Sequence, residues 1–428
     1  MPDTRNDILA RLRAHRLPGL DLGRDFLYPY YQGYSILNIP STICKWLGAP
    51  ALGAGPLAEE IIAALDQSFR RVVLVLMDAL GYQRFVHWLE QYPALAVWQS
   101  LAEQGGLTPI TSITPSTTSS ALTSLWSGRS PSEHAITGYE MWMKEYGIVV
   151  NTIQHKPISY KGGAGGLERA GFKPESFLSF PTLGEHLLTH GVKTYALQHH
   201  SIAASGLSRM LMKEVQVQMF YSAADLWINL RQLLESSSGE RFFAWVYWSE
   251  VDTFGHFYGP DDERVAAEFI LFSHAMQQFF LERLSHALRK DTLLILTADH
   301  GQLVTQPNAY YELRNHPALT RRLHILPAGE NRLAYLYIRP GQTEAVREYL
   351  ERTWPNQFTV IESAYAAGKG LFGPGKQHPS LLDRLGDYLA VARNDAYLWW
   401  ANKENELYGR HGGLHPDEML VPFLAAVL

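Results

Sequence analysis

The chain has 428 residues, 46% apolar and 18% charged, with a formal net charge of −5 and no Lys/Arg run longer than two, so a nucleic-acid polymer is not the expected partner. A single cysteine, Cys44, excludes an intrachain disulfide and suits a reducing compartment. The charged opening stretch M-P-D-T-R-N-D-I-L-A-R-L-R is not a secretory signal, and the apolar stretch Met419–Leu428 is too short to span a bilayer and contains Pro422, so a soluble cytoplasmic protein without a membrane partner is expected.

Residues 1–70 read as a lead-in packed on the main domain. Asp7–His15 has helical spacing, Ser41 is placed to cap a helix over Thr42–Leu47, and Leu57–Phe69 is amphipathic. The aromatics from Phe26 to Tyr34 suit packing rather than ligand contact. Arg70–Gly81 (R-R-V-V-L-V-L-M-D-A-L-G) then gives a β-branched apolar run of the kind buried on both faces of a parallel sheet, with Asp78 at its carboxyl end. Ligands of open α/β sheets bind beyond those ends. Arg84–Gln91 and Trp98–Gln104 read as helices. Leu107–Ile113 reads as a strand that Pro109 confines to an edge or a strand start.

The stretch S-I-T-P-S-T-T-S-S-A-L-T-S-L-W-S-G carries five consecutive hydroxyls, Ser116 to Ser120, ahead of an apolar helical series that ends at Gly128. One hydroxyl suffices for a cap. A helix N-terminus also favours phosphate, and a hydroxyl there is placed to attack phosphorus once its proton is made easier to lose. Residues 130–240 continue as α/β, with strands at Ile148–Ile153 and Thr194–Gln198 and helices at Leu183–His190 and Ala223–Glu235. Lys161–Gly166 (K-G-G-A-G-G) lacks phosphate-loop spacing and reads as a plain loop. His199 and His200 follow a strand and are candidates for the substrate side.

Arg241–Trp248 is a second buried strand, followed by S-E-V-D-T-F-G-H-F-Y-G-P. The four-residue spacing of Asp252 and His256 puts a carboxylate and an imidazole on one helical face, a pair that suits zinc. A long helix over Asp262–Arg289 follows. Thr292–Thr297 is a third apolar strand and runs directly into Asp299 and His300. Residues 302–405 read as a small α+β unit, with strands at Leu333–Ile338, Phe358–Glu362 and Leu385–Ala392 and a helix at Thr343–Thr353. G-R-H-G-G-L-H-P-D-E-M supplies His411 and His415. A final strand, Leu420–Leu428, is expected back in the main sheet. Together Asp78, Thr118, Asp252, His256, Asp299, His300 and His411 form a donor set of oxygen and imidazole without thiolate. Two divalent ions would satisfy it, zinc first, with manganese or iron as alternatives.

The ordered set M-D-A-L-G, S-T-T-S-S-A-L-T-S-L-W-S-G, D-T-F-G-H-F-Y-G-P, T-A-D-H-G and H-G-G resembles the alkaline phosphatase superfamily, and within it the type I phosphodiesterase/nucleotide pyrophosphatase family. The resemblance implies a three-layer α/β/α core with a largely parallel sheet over 71–304 and 406–428, a cap subdomain inserted at 305–405, and a lead-in at 1–70. It implies one metal on Asp252, His256 and His411, and a second on Asp78, Asp299 and His300 with the nucleophile. Counting back from Gly128, the nucleophile falls on Thr118, with Thr117 as the alternative one residue earlier. The implied activity is hydrolysis of a small phosphorylated substrate, a phosphodiester or pyrophosphate, through a phosphothreonine. The alternatives are a phosphomonoesterase or phosphonate hydrolase using the same site, and a non-catalytic binding relative. Two positions depart from the pattern: Ala121 stands where eukaryotic-type members carry Asn, and Ala135 replaces the Gly of P-x-x-H-G, leaving His134 a structural role. His415 lies outside the matched position. No Arg follows Thr118 within its helix, which tilts the reading toward diesters, and the absence of C-x-P-x-R argues against a sulfatase.

Overall fold

The run Arg71–Met77 forms the middle strand of a seven-stranded sheet, and every one of its residues is buried. Successive side chains of a strand point to opposite faces, so complete burial means that both faces are covered. Phe242–Trp248 and Thr292–Thr297 flank it in parallel register and are equally buried. The full order is Leu107–Thr111, Leu420–Val427, Thr292–Thr297, Arg71–Met77, Phe242–Trp248, Lys193–His199, Gln216–Phe220. Leu420–Val427 runs against the direction of the other six strands. The molecule is thus mixed α/β with a largely parallel central sheet. The computed structural model describes residues 4–159, 165–237 and 239–428. Of the Lys161–Gly166 loop, residues 161–164 lie outside the described residues.

Pro109 sits in the edge strand, as its missing N–H requires, and pairs with Pro422. Pro422 lies in an interior strand, but its pairing with Thr292–Thr297 begins only at Phe423, so no ladder bond is lost on that side.

A second seven-stranded sheet is antiparallel throughout and draws on distant parts of the chain. Phe358–Glu362, Tyr388–Ala392, Leu333–Leu336 and Ala328–Glu330 continue, through the pair Gly329–Glu140, into Glu140–Met143, Ile148–Asn151 and Lys156–Pro157. Ile148–Asn151 therefore leaves the main sheet, and the smaller sheet is not built from residues 305–405 alone. Its alternation separates two cores: Leu333, Tyr335, Leu389 and Val391 join the main core, whereas Ala334, Leu336, Ala390 and Ala392 join a cluster around Trp354 and Tyr397.

Several helices differ from expectation. The stretch 57–69 is helical only over Glu59–Leu65, as a turn of α-helix and then a 3-10 turn. Ser41 lies inside a helix, Ile39–Trp46, and bonds Leu52 O at 3.0 Å, so it does not cap. The long helix stops at Phe279, and Ser285 caps a separate helix, His286–Lys290. The strand expected from Leu385 begins at Tyr388, because Leu381–Leu385 is a helix closed by Gly386 at φ 65°. Among the described residues, no helix is long and apolar enough to cross a membrane.

Candidate active site

Three parallel strands deliver their acids to one edge of the sheet. Asp78 follows Arg71–Met77, and its backbone N–H donates to Trp248 O at 2.9 Å. Asp252 and His256 lie on Glu250–Tyr258, the helix directly after Phe242–Trp248. Asp299 and His300 follow Thr292–Thr297. The parallel ladder keeps these ends level, because Met77 pairs with Trp248 and Leu76 with Thr297. The last strand is antiparallel, so it enters the sheet from this same edge. The residues that precede it therefore reach the site, and they include His411.

The three histidines share one arrangement. Nδ1 of His300 lies 2.9 Å from Gly301 O, Nδ1 of His256 2.8 Å from Gly409 O, and Nδ1 of His411 3.2 Å from Ser116 O. Each Nδ1 therefore donates to a backbone carbonyl, which leaves each Nε2 facing inward with a lone pair. His300 Nε2 is 3.3 Å from Asp78 Oδ1 and 3.5 Å from Asp299 Oδ2. His256 Nε2 and His411 Nε2 lie 3.3 and 3.7 Å from Asp252 Oδ1. Two sets of mutually close donor atoms result: Asp252, His256 and His411, and Asp78, Asp252 and His300. Asp252 belongs to both, and Asp299 borders the second through His300.

The electrostatics fit cations. Asp78, Asp299 and His300 are at most 2% exposed. Asp78 Oδ1 and Asp299 Oδ2 have no hydrogen-bond donor, although buried carboxylate oxygens ordinarily have one. Burial pushes the Asp78 carboxyl well above the usual range, with Asp299 and Asp252 adding to the rise. Burial likewise raises Asp299, against the pull of His300. Burial works the same way on Asp252, but His256 and His411 outweigh it and hold that carboxyl below the usual range. Burial drives the His411 imidazole well below its ordinary value, with His300 stacked on it at a centroid separation of 3.8 Å. A divalent ion would supply the missing partner for the orphaned oxygens and accept the three inward nitrogens.

Thr118 opens a ten-residue helix, Thr118–Ser127, that is buried along its whole length and closed by Gly128 at φ 63°. Its Oγ1 lies 3.2 Å from His300 Nε2. Thr117, at the cap position, lines the same cleft as the Glu330 carboxyl. Of the two threonines, Thr118 is the one whose hydroxyl reaches the donor cluster. A cleft of about 350 Å³ opens over them, lined by Thr117, Thr118, Asp252, His256, His411 and Glu330 among others.

The remaining histidine candidates lie elsewhere. His134 accepts from Ile136 N at 3.0 Å, so its Nε2–H donates to Ser124 Oγ at 3.1 Å, and burial holds it neutral. His415 caps the turn Pro416–Met419. His200 stacks on Tyr221, and His199 pairs with Ser201.

Sequence reasoning passed over three side chains. Tyr247 donates its hydroxyl to Asp78 Oδ2 from the adjacent strand. Gln302 Nε2 donates to Asp252 Oδ1 at 3.1 Å. Glu330 reaches the cleft from the second sheet. Tyr247 sits in an aromatic strand that reads as core, and Gln302 follows D-H-G without a mark of its own. Glu330 stands in a short hairpin far from any motif.

The chain matches the family model described as type I phosphodiesterase / nucleotide pyrophosphatase over residues 72–414. No curated protein sequence matches it. Among solved structures, murine ectonucleotide pyrophosphatase / phosphodiesterase 5 is similar with a TM-score of 0.60 and 18% identity, over 83% of this chain and 87% of that one. An inactive threonine-to-alanine variant of that mouse protein, in complex with AMP, gives the same values. Phosphonoacetate hydrolase from Sinorhizobium meliloti 1021, in complex with phosphonoformate, is similar with a TM-score of 0.59 and 17% identity, over 83% of this chain and 90% of that one. At such identity the structural likenesses speak for the fold, and the family match carries the classification. The chain belongs to the type I phosphodiesterase/nucleotide pyrophosphatase family and is a phosphoric ester hydrolase.

Proposed function

We propose that this enzyme hydrolyses phosphodiesters or pyrophosphates of small molecules, with Thr118 as the nucleophile and two divalent ions, zinc or else manganese, as cofactors. The observation that carries the reading is the Thr118 hydroxyl at a buried helix N-terminus, 3.2 Å from an inward-facing His300 Nε2 and next to two orphaned carboxylate oxygens. Asp252, His256 and His411 would hold one ion. Asp78, Asp299 and His300, with Thr118, would hold the other. When bound, the ions supply Lewis-acid stabilisation of the charge that develops on the transferring phosphoryl group.

The chain's own part is positioning. The helix N-terminus offers unpaired N–H groups and a partial positive charge to phosphoryl oxygens. Thr118 Oγ1 attacks phosphorus, the bond to the leaving group's oxygen breaks, and a phosphothreonine remains for water to cleave. Gly301 O, Gly409 O and Ser116 O fix the imidazole tautomers throughout, so no ring has to turn during turnover.

The reading is tested by turnover of bis-p-nitrophenyl phosphate and p-nitrophenyl phosphate by protein loaded with zinc or manganese, against a chelated control. Metal-dependent preference for the diester supports it. Preference for the monoester moves the enzyme to a phosphatase. Two bound metals without turnover of either ester point to a binding relative, and failure to bind metal overturns the site.

A further inference from the structure

We propose that Glu330 determines specificity at this site: its carboxylate, brought by the second sheet into the cleft that holds the nucleophile Thr118, selects singly charged phosphodiesters against doubly charged phosphomonoesters. The inference rests on the phosphoric-ester reading of the Thr118 site and names the residue that sets its preference.

Glu330 ends the short strand Ala328–Glu330 and is buried. Its Oε1 accepts from Tyr139 N at 2.6 Å, and it lines the same cleft as Thr117. On its other side lies the loop that carries His411. A Cβ placed on Gly412, which has φ 103°, would come within 2.4 Å of Glu330 Cβ. The acid is therefore held between Tyr139 and that loop, with its carboxylate lining the cleft that holds Thr118.

No side-chain cation of the cleft is paired with it among the described residues. Among the described lining residues, Lys403 is the one side-chain cation besides the imidazoles, and it is exposed and turned over the Trp399 ring. Glu140 adds a second acid, which accepts from Trp400 Nε1 at 2.7 Å. The nearby guanidinium groups are engaged away from the cleft. Arg332 pairs with Glu418, and Arg410 bonds Thr305 and stacks over Tyr397. A monoester brings one more negative charge than a diester and meets a carboxylate rather than the cationic clamp that would reward it. At a separation of one phosphoryl group, one unit of like charge is worth about tenfold in relative affinity, even with strong protein screening. Burial pushes the Glu330 carboxyl up to about 7, so the test is run at about pH 8, where it is ionised.

The experiment compares zinc-loaded wild type, Glu330→Gln and Glu330→Asp. Calorimetry measures binding of inorganic phosphate, a dianion, and dimethyl phosphate, a monoanion. Steady-state kinetics measures kcat/KM for p-nitrophenyl phosphate and bis-p-nitrophenyl phosphate. Glu330→Gln is expected to tighten phosphate about tenfold while dimethyl phosphate changes by less than about threefold, and to narrow the diester-to-monoester ratio by a similar factor. Glu330→Asp, which keeps the charge, is expected to keep the wild-type ratios. Equal changes for both anions, as a merely structural role would give, overturn the proposal. Failure of the wild type to turn over either ester counts against the hydrolytic reading, while the ratio of the two binding constants still decides the role of Glu330. A wild type that binds neither anion overturns both.

Discussion

The ion pair between Arg332 and Glu418 joins the second sheet to the loop that delivers His411, and replacing Arg332 by Met is a direct test of that connection. The two side chains meet at 2.8 Å and both are fully buried. Removing one partner of such a pair costs about 3–5 kcal/mol, because a charge is left without its counter-ion. Here Glu418 keeps two donors, Gly413 N at 2.9 Å and His415 N at 3.1 Å, which places the cost near the lower end. Methionine retains most of the apolar stem, so the packing loss is small. We expect Arg332→Met to lose about 3 kcal/mol in urea unfolding of the metal-free protein. The double variant Arg332→Met/Glu418→Gln removes both charges, but Gln offers one acceptor oxygen where Glu418 uses two, so one of the loop amides loses its acceptor and the loss should fall only to about 2 kcal/mol. Since those amides lie within four residues of His411, zinc affinity should also fall by about 10–100-fold in Arg332→Met and recover only in part in the double variant. A single variant within about 0.5 kcal/mol of wild type, or a double variant no better than the single, would refute the argument.

Three other outcomes rest on the same geometry. Thr118→Ala should lower kcat on a phosphodiester by about 10³-fold or more with metal binding retained, whereas Thr117→Ala should cost less than about tenfold; equal losses would put the nucleophile in doubt. In the metal-free protein, Asp78 and Asp299 have raised carboxyl values, so the stability tied to them is present below the unfolded value and lost as pH rises through the folded one. Metal binding needs both carboxylates ionised, so the gap in Tm between zinc-loaded and chelated protein should widen from about pH 5 to about pH 8 in scanning calorimetry, and a constant gap would count against these acids as ligands. Gly301→Ala would place its Cβ 2.0 Å from the backbone oxygen of Asp417, where no side chain can swing aside, so it should cost about 3 kcal/mol or more by urea unfolding; a loss below about 1 kcal/mol would show that the loop gives way.

The parts of the site legible in the sequence were those that the parallel sheet puts in register. Asp78, Asp252 and Asp299 each follow a buried apolar run, and level strand ends make them neighbours. His411 follows no such rule, since it precedes an antiparallel strand; the G-R-H-G-G motif made it a candidate, and only the resemblance assigned it to a metal. The second sheet was hidden because its central pairing, Gly329 with Glu140, joins segments far apart in the chain, and no local period signals that. Ile148–Asn151 is rich in β-branched residues, which suits a strand but does not say which sheet it joins. Glu330 was hidden for the same reason, because its importance comes from what it faces. The missed helix ends have local causes that a period cannot show, such as the new cap at Ser285.

The recurrence of glycine beside the site histidines has a physical basis in how their rings are oriented. Each Nδ1 is held by a backbone carbonyl and not by a carboxylate. A carbonyl can aim a ring only if its own loop is fixed, and these loops are fixed by backbone contacts too close for a side chain. A Cβ at Gly301 would strike Asp417 O, and one at Gly409 would lie 2.3 Å from Gly255 O. Gly255 is in turn the residue before His256, and a Cβ there would reach Gln302 Oε1 at 1.8 Å, displacing the amide that bonds Asp252. The motifs D-H-G, G-H and G-R-H-G-G are therefore parts of one packing arrangement. The histidines supply the donor atoms, and the glycines let the loops come close enough for carbonyls to set each tautomer. Orientation is then independent of neighbouring carboxylates, which leaves all three acids free to face the centre.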